Sequence, residues 1–172
     1  MNTRPSPADL RLRLSELPPA GLLRRFGAMV YDGLLVIALM LTTTGLLNLF
    51  AARPVIPEGA GTVSIEAMET VSGPLLSTIL FIQTFVFFAY FWVHHGRTLG
   101  MQAWRLRIIA ADGGPIRPPQ ALRRYLAAFP SLLLLGAGYL WQLLDPARLG
   151  WPDRLSGTRI VRVPPELEPP RK

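Results

Sequence analysis

Three runs of this chain contain no charged side chain, and they decide what it can fold into. Gly33 to Ala52 is twenty residues long, Thr70 to Val93 twenty-four, and Tyr125 to Leu144 twenty. A helix of about 20 apolar residues crosses the hydrocarbon core of a bilayer, whereas a soluble domain spreads its apolar residues with helical or strand periodicity. Half of the chain is hydrophobic and only 17% of it is charged. The expectation is an all-α integral membrane protein.

The runs divide the chain. Residues 1–20 form a polar, proline-bearing leader, expected to be flexible apart from one short helix from Ser6 to Leu17, with Ser6 as N-cap and Pro7 in the first helical position. The membrane domain is expected over 21–163, with helices at about 22–50, 71–93 and 120–144, and "PPELEPPRK" reads as a disordered tail over 164–172. The leader is too long and the first apolar block too extended for a cleaved signal peptide, although "LFAAR" faintly resembles a cleavage site. Ala52 to Thr70, with two prolines and three glutamates, reads as a loop. In "AWRLRI" apolar and basic residues alternate with a strand's period of two, and "DGGP" follows with turn chemistry. This predicts a short cytoplasmic β-hairpin at the membrane surface, with Arg105 and Arg107 facing headgroups or water.

Orientation follows from the basic residues. Of eighteen, five lie in the leader up to Gly27, one in the first loop, six between His94 and Arg124, and six in the C-terminal part. The positive-inside rule puts the N-terminus and the second loop in the cytoplasm. Three complete spans would export the six C-terminal charges. The third run also carries Pro130, Gly136 and Gly138, weak points in a helix. A re-entrant helical hairpin resolves both problems and is favoured over a third span.

Candidate functional residues are few. Asp32 lies seven residues after Arg25 in "RRFGAMVYDGLLVIALM". That is about two turns, so both share one helix face with Asp32 about 10 Å deeper. A carboxylate near the bilayer centre costs about 2.5–3.5 kcal/mol on insertion scales, which implies a partner or a use unless it is shallow. Asp153, in "WPDRLSGT", reads either as a turn aspartate or, in the hairpin topology, as a partner for Arg25. That would set one arginine between two aspartates. His94 and His95 point about 100° apart on a helix and make a poor chelating pair. The chain has no cysteine. No catalytic residue, metal site or cofactor motif emerges, and the arginines flank apolar blocks in the manner of membrane anchors rather than nucleic-acid contacts.

"AGLLRRFGAMVYDGLLV", "GRTLGMQAWRLRIIAADGG" and "WPDRLSGTRIV" together resemble the RDD family of bacterial membrane proteins, named for one arginine and two aspartates. Arg25, Asp32 and Asp153 fall on those three positions. Pro152 stands where relatives often have histidine before the second aspartate. The resemblance implies a multi-pass protein of the bacterial inner membrane with a role in transport, cation–proton exchange being proposed for some members. Two or three membrane elements are too few for a transporter alone, so a homo-oligomer or assembly with other membrane proteins is expected. The rival class is a scaffold, assembly or lipid-binding module, its basic face on anionic headgroups. No enzyme activity and no nucleic-acid partner are expected.

Overall fold

The computed structural model describes residues 6–51, 53–54, 68–69 and 71–167. In chain order the elements are α1 (Pro7–Glu16), α2 (Leu22–Ala51), β1 (Arg53–Pro54), β2 (Met68–Glu69) and α3 (Gly73–Tyr90), which continues as one π-helical turn (Phe91–His95). Then come α4 (Leu99–Ala103), β3 (Leu106–Ala110), α5 (Pro118–Leu133), α6 (Ala137–Leu140) with a 3-10 turn (Trp141–Leu143), α7 (Trp151–Ser156), β4 (Thr158–Arg162) and a last 3-10 turn (Pro165–Leu167). Two helical stretches are long and apolar enough to cross a membrane, Leu22–Phe50 and Gly73–His95. A third apolar element is broken: Pro118–Leu133 and Ala137–Leu143 meet at 107°.

The chain forms two compact units, Gly33–Thr84 and the remainder. In the first of these, apolar side chains such as Leu34, Ile37, Leu41, Leu49 and Leu75 are exposed, the pattern of a lipid-facing surface. Several of its hydroxyls are satisfied within their own helices: Thr42 donates to the Ala38 carbonyl at 2.8 Å and Thr78 to that of Pro74 at 2.8 Å. Such bonds let a polar side chain sit in hydrocarbon without an orphaned donor. Gln83 donates to the Leu39 carbonyl at 3.3 Å, tying α3 to α2. In the loop between these spans, β1 pairs antiparallel with β2; most of the intervening stretch lies outside the described residues.

The larger unit has two apolar clusters divided by a two-stranded sheet. β3 pairs antiparallel with β4, Ile108 opposite Ile160. This corrects the expected local hairpin. The period of two in "WRLRI" identified a strand but not its partner, which lies beyond the whole third apolar element. The "DGGP" turn does form, with Gly113 at φ 77°, but it leads into α5 because Pro118 and Pro119 lack the amide hydrogens a strand needs and suit a helix's first turn. Leu106, Ile108 and Ala110 face a cluster with Ala28, Trp92, Met101 and Tyr125. Ile109 faces the other way, onto Leu14, Val161 and Val163.

Leu14 belongs to α1, so the leader's helix is packed against the sheet. It begins as its sequence predicts: the Asp9 amide donates to Ser6 Oγ at 3.1 Å and the Ser6 amide donates back to Asp9 Oδ2 at 3.2 Å. Of the tail, Pro165–Leu167 forms a turn and residues 168–172 lie outside the described set.

The break between α5 and α6 has a local cause. Leu135 and Gly136 both adopt positive φ, 53° and 82°. The returning chain packs where side chains are smallest, since a Cβ at Gly138 would collide with Ser131. Leu133 and Leu135 at the tip are 81% and 94% exposed, an apolar tip that suits lipid.

Candidate functional site

Arg25 sits in the first turn of α2 with its side chain directed into the larger unit, 4% exposed. Its Nε donates to the Ala20 carbonyl at 2.9 Å and its Nη2 to the Ile160 carbonyl at 3.4 Å, while Nη1 bonds Asp153 Oδ2. Asp153, 1% exposed, lies in the first turn of α7, where its Oδ2 also accepts the Gly150 amide at 3.1 Å. That bond caps the helix. The other carboxylate oxygen accepts from Arg124 Nη1 at 2.7 Å.

Arg124, from α5, is itself 5% exposed, donates to Thr158 Oγ1 at 2.8 Å, and lies with Cζ 5.7 Å from the centre of the Trp92 ring. Ser156 Oγ and Thr158 Oγ1 are 2.6 Å apart and close the network. Tyr139 lies near enough to feel the charges of all three groups.

Burial alone would raise the Asp153 carboxyl. The positive charges and hydrogen bonds of Arg124 and Arg25 outweigh it and hold the group below the ordinary carboxylate range. A buried carboxylate with two guanidiniums, a helix amide and no water-facing edge is a clasp. It joins the start of α2, the middle of α5, the start of α7 and the sheet.

Asp32 is in a different network. Its Oδ2 accepts from Thr98 Oγ1 at 2.5 Å and its Oδ1 from the Gly100 amide at 2.8 Å. Thr98 is the N-cap of α4, its Oγ1 accepting the Met101 amide at 3.2 Å, so the carboxylate ties α2 to the first turn of that short helix. No arginine, lysine or histidine among the described residues bonds Asp32. The three residues singled out in the sequence therefore divide: Arg25 and Asp153 meet, and Asp32 does not join them.

The arrangement is one aspartate between two arginines, the reverse of the composite expected. The missing residue was Arg124. Its signal was present, because Arg123–Arg124 precedes the third apolar run much as Arg24–Arg25 precedes the first. In both pairs the second arginine is the buried one. Thr98 was missed too, within "GRTLG".

Nothing in the geometry suggests a metal: among the described residues no three of His, Cys, Asp and Glu come together. A second aspartate, Asp145, pairs with Arg154 and accepts the Leu149 amide at 2.9 Å; these bonds, the amide's foremost, keep its carboxyl below the ordinary range.

Two apolar helices of membrane-crossing length and a bent third element are the features of a membrane protein, here with a buried Arg–Asp–Arg clasp. The family model of the RDD family matches residues 19–157, and the chain belongs to that family. Comparisons with curated proteins and with solved structures gave no match.

Proposed function

We infer that this is a bacterial inner-membrane transport component in which Asp153 serves structure and Asp32 serves exchange of a proton or cation. The observation that carries this is the difference between the two carboxylates. Asp153 is neutralised twice over by arginine. Asp32, 5% exposed at the head of a membrane-crossing helix, has only a hydroxyl and an amide for partners. A buried acid without a counter-ion is the group whose charge a proton or a small cation can alter at least cost. Gln142 in the bent element, buried with its amide atoms lacking a partner among the described residues, is a further polar group in need of one. Two spans and a short hairpin enclose no path alone, so the working form is an oligomer. Among the described residues none is arranged as a nucleophile–base pair, and the protein is proposed to be no enzyme.

The test is Asp32→Asn, which keeps the side chain's size and one acceptor oxygen. The variant should insert and accumulate normally, yet lose proton movement in vesicles under an imposed sodium or potassium gradient, read with a pH-sensitive dye. Flux equal to that of the natural chain sinks the assignment. If the natural chain shows no flux and Asp32→Asn only lowers the melting temperature, the scaffold reading wins.

The proposed topology has the N-terminus and both ends of the bent element in the cytoplasm. Arg124 and Asp153, on either side of the bend, are directly bonded, whereas the ends of a complete span stand about 30 Å apart. From Arg124 to the end of α5 the chain can descend only about 14 Å. Because the chain has no native cysteine, single cysteines report sidedness. With an impermeant thiol reagent on intact cells, Ser72→Cys should label and the exposed Ala147→Cys should be shielded. Labelling of both would make the third element a span.

A further inference from the structure

Beneath α1, beside the end of the second membrane-crossing helix, is a cavity of about 190 Å³. It has room for about six waters at roughly 30 Å³ each. Its cationic lining comes from two elements, Arg11 of α1 and Arg107 of β3, and His94 of the π-helical turn adds an imidazole. Leu10 and Val93 supply apolar wall, and among the described residues no acidic side chain lines it.

Arg107 is the residue without an explanation. Alternation along β3 turns it to the same side as Ile109, away from the larger apolar cluster, and it is half-buried. Among the described residues its side chain has no hydrogen-bond or ion-pair partner, although its backbone pairs with Val161. Burial first, and the positive charge of Arg97 second, draw it below an ordinary guanidinium, so its surroundings disfavour the charge it carries. Asp112, which accepts the Gly114 amide at 3.0 Å, and Asp9, which caps α1, are not among the residues that line the cavity. A half-buried arginine that shares its cavity with a second arginine, and with no carboxylate among the described lining residues, lacks an anion.

We propose that this cavity binds a phosphate group, held by the Arg107 guanidinium and by Arg11 from the opposite wall. Guanidinium suits phosphate because its fixed fork of N–H donors meets two oxygens at once. His94, which lines the cavity, lies one residue before the end of the membrane-crossing stretch at His95, a position that suits the depth of lipid headgroups. Cationic and apolar lining together match a glycerophospholipid, phosphate on the arginines and the first methylenes of an acyl chain against Leu10 and Val93. A free phosphate ester shares the first contact and not the second. The inference does not depend on flux through Asp32, since binding is read without transport.

Binding of an acyl-labelled phosphatidylglycerol to the purified full-length protein in detergent tests it, with inorganic phosphate as competitor. The natural chain should bind saturably, Arg107→Ala should bind about tenfold more weakly, and Arg107→Lys should fall between. Arg11→Ala, on an exposed surface position of α1, should also weaken binding, which keeps the test alive if Arg107→Ala misfolds. Arg123→Ala, exposed and outside the cavity, should bind like the natural chain. Failure of phosphate to compete assigns the site to lipid; full competition assigns it to a soluble phosphate. Equal binding by the natural chain, Arg107→Ala and Arg11→Ala overturns the proposal, as does equal weakening by Arg123→Ala.

Discussion

Asp153→Ala should cost the protein about 3–5 kcal/mol, the range found when a buried ion pair loses one member. Here one substitution strands two guanidiniums, each about 95% hidden from solvent, and leaves the Gly150 amide without its cap. Whole domains are stable by only about 5–15 kcal/mol, so low abundance in the membrane and early melting in detergent are expected. Melting at the natural chain's temperature would mean that the clasp is ornamental. The triple variant Arg25→Met, Arg124→Met, Asp153→Leu removes every stranded charge together. Apolar replacement of a buried ionic cluster is often neutral or stabilising, and the triple variant should regain most of what Asp153→Ala loses.

The clasp also has a pH signature. Because the Asp153 carboxyl is held below its ordinary value in the folded protein, the unfolded chain binds its proton more readily. The contribution is therefore complete above about pH 4 and disappears as the pH falls through the lower folded value. Between neutral pH and about pH 5, the difference in melting between the natural chain and Asp153→Ala should be flat.

What could be read in advance follows from what is local. Uncharged runs identify membrane elements because the requirement is met within each segment, and α2 begins at Leu22 and α3 closes near His95 much as composition implies. The Ser6 cap of α1 was legible for the same reason. Strand pairing was not, because alternation in "WRLRI" identifies an exposed and a buried face and says nothing of a partner as distant as Thr158–Arg162. Arg124 was hidden by a similar limit. An arginine at the edge of an apolar run satisfies the anchoring rule whether it points to headgroups or inward, and only the fold turns it onto Asp153. That Asp32 takes no part in the clasp could not be read from helical phase, which places Arg25 and Asp32 on one face but cannot say that α4 arrives to occupy the second.

The arrival of α4 rests on a glycine, and Gly100→Ala should rank next to Asp153→Ala in the damage it does. A Cβ at Gly100 would stand 2.8 Å from Asp32 Oδ1 and 2.9 Å from its Cγ, and would collide with the Ala28 carbonyl one turn earlier on α2. One obstacle is backbone and the other is the acceptor of the Gly100 amide, so neither can swing aside without breaking the bond that joins the helices. Overpacking costs about 1–3 kcal/mol and a lost buried hydrogen bond about 1 kcal/mol more. Gly27→Ala should be milder, since the three atoms nearest its Cβ all belong to the Trp104 side chain, which is 36% exposed, rather than to backbone. Gly33→Ala meets nothing within 4 Å and should gain up to about 1 kcal/mol of helix propensity. Thermal melting of the three variants should therefore rank Gly100→Ala lowest and Gly33→Ala highest. A Gly100→Ala protein that melts with the natural chain would show that α4 does not sit against Asp32, and the carboxylate would then lack the two donors that hold it.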